Sequence, residues 1–118
     1  MRNFRELEIW KEGISITTLI YQLIKTYPKQ EIYGLCSQLR RTTVSIPSNI
    51  AEGCRGSNKE MMQYLNIAIG SSFEVETQLT ISFNLGYIKE STFQETLDRL
   101  NILQKRINSF RNTLKPTR

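Results

Sequence analysis

The sequence predicts an all-α protein, an antiparallel up-down four-helix bundle whose second helix is kinked at a proline. Three observations carry that expectation. The long apolar runs recur at spacings of three and four, the helical period, and none alternates as a half-buried strand does. Proline, glycine and capping residues punctuate the chain between those runs. The joints are short, which makes consecutive helices antiparallel neighbours. With 118 residues, 39% of them hydrophobic and 23% charged, positions 1–118 read as one domain able to bury its own core.

The first helix spans about Leu7 to Thr26, with Trp10, Ile14, Thr17, Tyr21 and Ile24 on one stripe and Ile9, Ile16, Ile20, Leu23 and Tyr27 beside it. Pro28 ends it, since the residue before a proline is pushed out of the α region. The second starts near Glu31 and places Leu35, Leu39, Thr43, Ile46 and Ile50 on one face. Pro47 inside it cannot donate to the Thr43 carbonyl, hence the expected kink. Gly53 and Gly56, able to take positive φ, are expected to stop it.

Ser57 and Glu60 form a capping box at the start of the third helix. Met61, Leu65, Ala68, Ser72, Val75 and Leu79 follow at alternating spacings of four and three. Met62, Ile69, Phe73 and Phe83 make a second stripe, and Ile67 and Ile81 lie on further faces. A helix apolar on most sides is buried on most sides. Three neighbours in so short a chain leave part of it uncovered, which predicts a homo-oligomer. Gly86 is the natural residue after this helix, and Ser91 to Gln94 reads as a capping box for a fourth. Phe93, Leu97, Leu100, Leu103, Ile107, Phe110 and Leu114 supply that helix's apolar face.

Composition argues against an enzyme. The chain has no histidine, so histidine-based triads, general bases and Glu-x-x-His di-iron centres are excluded. Glu74 and Glu76, two apart on a helix, point about 200° apart and cannot share a proton or a metal. The Gly53–Gly56 joint lacks the spacing and lysine of a phosphate loop. No cofactor is expected. No apolar run reaches the roughly 18 residues of a membrane span. The N-terminal residues lack a secretory leader, and Cys36 and Cys54 have no metal-type spacing. The expectation is a cytoplasmic protein with reduced thiols and no membrane association.

The net charge is +5 and it is unevenly placed. Arg99, Lys105, Arg106, Arg111, Lys115 and Arg118 close the chain with no acid among them. Such an end attracts polyanions, and Arg99, Lys105, Arg106, Arg111 and Lys115 are the first-choice phosphate contacts, followed by Arg40 and Arg41. The same cations also fit an ordinary solvated face. On the second helix, Ser37, Arg41, Ser48, Glu52 and Arg55 fall opposite Leu39 and Ile46, with Val44 in the same sector. This polar strip suits phosphates or an oligomer interface through Arg41, Val44, Ser48 and Glu52, joined on the third helix by Ile69 and Phe73. Helical spacing assigns most aromatic residues to packing; Tyr33 and Tyr87, in turns, are the ones free to stack on bases.

Ser37-Gln38-Leu39-Arg40-Arg41, then Ser45 through Gly53 (SIPSNIAEG), resembles the four helix bundle proteins also called 23S rRNA-intervening sequence proteins. The resemblance continues through Ser57, Lys59-Glu60, Tyr64-Leu65, Ile67-Ala68, Gly70-Ser71, Glu74, Glu76-Thr77 and Leu85-Gly86-Tyr87. It implies a bundle that assembles as a ring, typically a homopentamer. The chain is also similar to the accessory variability protein of diversity-generating retroelements, a basic pentameric barrel that binds nucleic acid and a reverse transcriptase. Two functions follow as expectations: a non-enzymatic pentameric protein that binds RNA or DNA through a basic surface, or a scaffold that recruits a protein partner.

Overall fold

The computed structural model describes residues 2–114. Among them are four α-helices and no strand: α1 (Glu8–Ile24), α2 (Leu35–Gly53), α3 (Asn58–Asn84) and α4 (Glu90–Thr113), with 3-10 turns at Phe4–Glu6 and Lys29–Glu31. The result is an all-α helical bundle, elongated to 51 × 24 × 20 Å. Each helix lies against two others, in the order α1, α2, α3, α4 and back to α1. Cross-helix contacts pair Gly13 with Pro47, Thr17 with Thr43 and Ile24 with Cys36 on α1 and α2. Gly53 meets Met61 and Thr42 meets Gln78 on α2 and α3. Phe83 stacks on Phe93, Gln104 donates to Glu76 and Arg111 donates to Asn66 between α3 and α4.

The core follows the helical period. Leu39, Ile46 and Ile50 of α2, and Met61, Leu65, Ala68, Val75 and Leu79 of α3, are fully buried. They meet Ile16 and Ile20 of α1 and Leu100, Leu103 and Ile107 of α4. Of the two stripes on α1, the buried one carries Ile9, Ile16 and Ile20, while Ile14 and Tyr21 are exposed. Ile24, read with the outer stripe, is buried as well.

Pro47 is inside α2 and buried. It has no N–H for the Thr43 carbonyl, and the Thr17 hydroxyl of α1 lies 3.2 Å from that oxygen. The same hydroxyl lies 2.7 Å from the Gly13 carbonyl and accepts from the Thr43 hydroxyl at 3.3 Å, so its one proton is shared between two acceptors. A threonine on one helix thus compensates a proline on the next.

Two helix starts and the way α2 ends at Gly53 differ from the sequence expectation, each for a tertiary reason. The second helix begins at Leu35, not near Glu31. Glu31 acts from outside instead, accepting the Leu35 N–H at 3.2 Å and the Tyr87 hydroxyl at 2.9 Å. Gly53 and Gly56 do not take positive φ; among the described residues only Gly86 does, at 81°. Gly53 is needed for close approach, because a Cβ there would lie 2.7 Å from Met61 Sδ and 3.0 Å from Tyr64 Cβ. The fourth helix starts at Glu90 with Lys89 as an uncapped N-cap, so the expected Ser91 box lies inside the first turn. Burial of Ile88 and the Phe83–Phe93 stack, with ring centroids 4.5 Å apart, place the helix entry there in preference to the local cap.

The box at Ser57 forms as expected, with the Glu60 N–H donating to Ser57 Oγ at 3.2 Å and the Ser57 N–H to Glu60 Oε1 at 3.3 Å. The α3 end is also as expected: Gly86 N–H donates to Phe83 O and Tyr87 N–H to Ser82 O, the paired bonds of a Schellman turn.

Candidate nucleic-acid and assembly surfaces

The cations of α4 are divided among three directions by the 3.6-residue period. Arg99 and Arg106 point to α1, where Arg99 donates to Ser15 Oγ at 2.7 Å and Arg106 pairs with Glu12. Together with Ile102 and Leu103 they line a groove of about 300 Å³ against α1. Arg111 points to α3 and is held by three amide oxygens, from Asn66, Asn108 and Asn112. Lys105 is exposed and makes no hydrogen bond or ion pair among the described residues. Lys115 lies outside the described residues. On α2, Arg40 donates to the Ile32 carbonyl at 3.2 Å, while Arg41 is exposed and makes no such bond among the described residues.

This arrangement leaves charge available. Among the described residues only three ion pairs form, Lys11–Glu8, Arg55–Glu52 and Arg106–Glu12. Arg99 and Arg111 are instead oriented by a hydroxyl and by amides, which fix a guanidinium without cancelling it. Phosphate oxygens can still add to such groups.

The expected interface residues fall on two separate surfaces. Arg41, Val44, Ser48 and Glu52 form one exposed strip along the outer side of α2, and Arg55 continues it, paired to Glu52 at 3.4 Å. Val44 lines a groove with Tyr21 on the α1 side of that strip. Phe73, 55% exposed, lines a different groove on α3 with Thr77 and Ile81. Ile67 is 51% exposed on α3 as well. Ile69 is half-buried and packs against the core of its own chain. Gly70 faces outward, and a Cβ there would meet nothing within 4 Å, whereas Ser71 and Ser72 are buried.

Tyr33 is 94% exposed in the turn before α2, beside exposed Ile32. Tyr87 is half-buried, packed on Tyr27 and bonded to Glu31, so the second turn aromatic is committed to holding two joints together. The Glu31 carboxylate that accepts its proton raises the Tyr87 pKa, and burial raises that of Tyr27. The Tyr27 hydroxyl lies toward Ser82 but lacks hydrogen-bond geometry. Cys36 and Cys54 are free and buried, and burial pushes both thiols up, away from the thiolate a nucleophile needs. At the two ends of α2, they sit 18 residues apart in sequence, about 27 Å along a helix, too far to bridge. No group of three or more metal-ligating side chains occurs among the described residues. No helix there is long and apolar enough to cross a membrane.

Fold and surface together define an all-helical bundle protein with dispersed, largely unneutralised cations and exposed apolar strips. The family model described as 23S rRNA-intervening sequence protein matches residues 5–109, and the chain belongs to that family. No curated protein matches it.

Proposed function

We propose that this protein is a non-enzymatic homo-oligomer, five copies in a ring, that binds RNA or DNA through its basic surface without strong sequence preference. The observation that carries the reading is the partnering of the cations: Arg40, Arg99 and Arg111 are held by neutral groups, and Lys105 and Arg41 by none among the described residues. Cations spread over several sides suit contact with many backbone phosphates, which carry no sequence information. A ring multiplies such weak contacts through effective concentration.

Within each copy we take the bundle to be up-down and antiparallel, with α2 bent at Pro47. Support comes from pairs that count up one helix while counting down the next, 13 with 47, 17 with 43 and 24 with 36. For assembly, a closed ring of head-to-tail contacts needs two different complementary surfaces. The α2 strip and the Phe73 groove on α3 are two such surfaces. Gly70 fits the same reading, since a mid-helix glycine costs about 0.5–1 kcal/mol against alanine and nothing in its own chain requires it.

The test is fluorescence anisotropy with RNA and DNA of unrelated sequence. Lys105→Glu should weaken all of them alike, in a protein that remains helical and keeps its oligomeric state. Absence of any binding at low salt overturns the reading. The alternative is then a scaffold for a protein partner, favoured by the exposed Ile32, Tyr33 and Leu85 of the joints. Light scattering at micromolar concentration tests the ring, and a stable monomer refutes it.

A further inference from the structure

The structure holds a second basic feature, away from α4's cations. The 3-10 turn at Phe4–Glu6 packs against the C-terminal end of α2. A cleft of about 340 Å³ opens between them, lined by Arg2, Phe4, Arg5, Ala51, Cys54 and Arg55. Its lining is mostly apolar and includes three arginines. A volume near 300 Å³ is the lower end of the range for small-molecule sites, so it suits one compact ligand.

The lining is organised in advance. The Arg2 N–H donates to the Cys54 carbonyl at 3.1 Å, which straps the segment down. The Arg2 guanidinium donates to Asn58 Oδ1 at 2.8 Å and lies 6.0 Å from the Phe110 ring centre. The Arg5 guanidinium lies over the Phe4 ring at 4.5 Å, and Phe4 is set in turn by an edge contact with Trp10. Neutral amides and rings orient these two charges and leave them unneutralised. Arg55 alone faces a carboxylate, Glu52 at 3.4 Å, in an exposed pair that a doubly charged anion can displace.

Three arginines select an anion with several oxygens, because a guanidinium fork matches phosphate with two parallel bonds. The flat Arg5–Phe4 pair in a mostly apolar lining selects a planar body next to that anion, as bases stack on aromatic rings and guanidinium planes. We propose that this cleft is a binding site for a nucleoside phosphomonoester, either a free mononucleotide or the phosphorylated end of a strand. This goes beyond the polyanion surface, since it reads one terminal group rather than many internal phosphates, and it uses other residues.

The experiment compares one short oligonucleotide with a 5′-phosphate or a 5′-hydroxyl, by anisotropy on the full chain, with AMP, adenosine and inorganic phosphate as competitors. The expected result is a preference for the phosphorylated strand of about tenfold or more, the scale of one lost charge-assisted hydrogen bond. AMP should compete, and adenosine and inorganic phosphate should not at the same concentration. Arg5 is exposed and lies outside the α2 strip, so Arg5→Gln should keep the circular dichroism spectrum, keep binding of the hydroxyl strand and abolish the preference. Ala51→Phe, which fills the cleft and removes no charge, should do the same. Competition by AMP without an end preference assigns the free nucleotide, and an end preference without AMP competition assigns the strand end. Equal binding of both strands with no competition by AMP overturns the proposal, as does a preference that survives both variants or phosphate competing as well as AMP. Should the hydroxyl strand fail to bind while AMP binds, the polyanion reading falls and the cleft stands.

Discussion

Thr17→Val isolates the contact through which α1 compensates the proline of α2. The substitution keeps shape and removes the hydroxyl that lies 3.2 Å from the Thr43 carbonyl and 2.7 Å from the Gly13 carbonyl. Gly13 O keeps its helical donor, but Pro47 offers none to Thr43 O. Leaving a buried carbonyl unpaired costs about 1–3 kcal/mol. The Thr43 hydroxyl, which donates to Thr17 at 3.3 Å, loses its acceptor as well and can turn to its own helix, which keeps the estimate near 2 kcal/mol. At this chain length that lowers the melting temperature by roughly 3–6 °C per kcal/mol. Pro47→Ala supplies the missing N–H, so Thr17→Val should cost about 1 kcal/mol less in that background. Urea unfolding of the four proteins at one fixed concentration reads the coupling, since the stability of an oligomer depends on concentration. Equal costs of Thr17→Val in both backgrounds would refute the reasoning.

Gly53→Ala should destabilise by about 1–3 kcal/mol through overpacking against fully buried Met61, whereas Gly56→Ala meets only the exposed Glu60 carboxylate and should cost less; thermal melts compare them. Neither Cys36 nor Cys54 should react with a thiol reagent at pH 8 in the native protein, and both should react in denaturant, because burial keeps them protonated and covered. Rapid native labelling would contradict the packing at the two ends of α2. Tyr27 and Tyr87 both have folded pKa values raised above the ordinary 10.0, so the fold favours their protonated forms. Their contribution is complete below that value and is lost as pH rises through the raised ones, so stability should fall in strong alkali; Tyr87→Phe should flatten that fall.

What could be read in the sequence was whatever a single helix decides. The run from Met61 to Leu79 faces the core because the helical period puts it on one side, and Ser57 caps Glu60 because both partners lie within one turn. Where a distant residue decides, local signals mislead. Gly53 ends α2 where the sequence places the stop, but without positive φ, and its need for glycine comes from Met61 and Tyr64 of the next helix. Ser91 reads as a cap, yet the helix enters two residues earlier, at Lys89, where Ile88 is buried and Phe93 stacks on Phe83. The same limit governs the surface. Counting cations after Asp98 finds the charge of α4 but not its division between α1 and α3, which depends on Ser15, Glu12 and Asn66. Arg2 and Arg5 carry no periodic signal, and they meet Arg55 only because the chain returns after some fifty residues.

The measurement that tests the central claim most directly is the salt dependence of polynucleotide affinity for the full chain. Each neutralised phosphate contributes about −0.9 to the slope of log affinity against log salt on duplex DNA. A ring that presents Lys105, Arg99 and Arg111 from several copies should give a slope of about −3 or steeper, with similar values for unrelated sequences. A flat salt dependence, or no binding at low salt, would contradict the account.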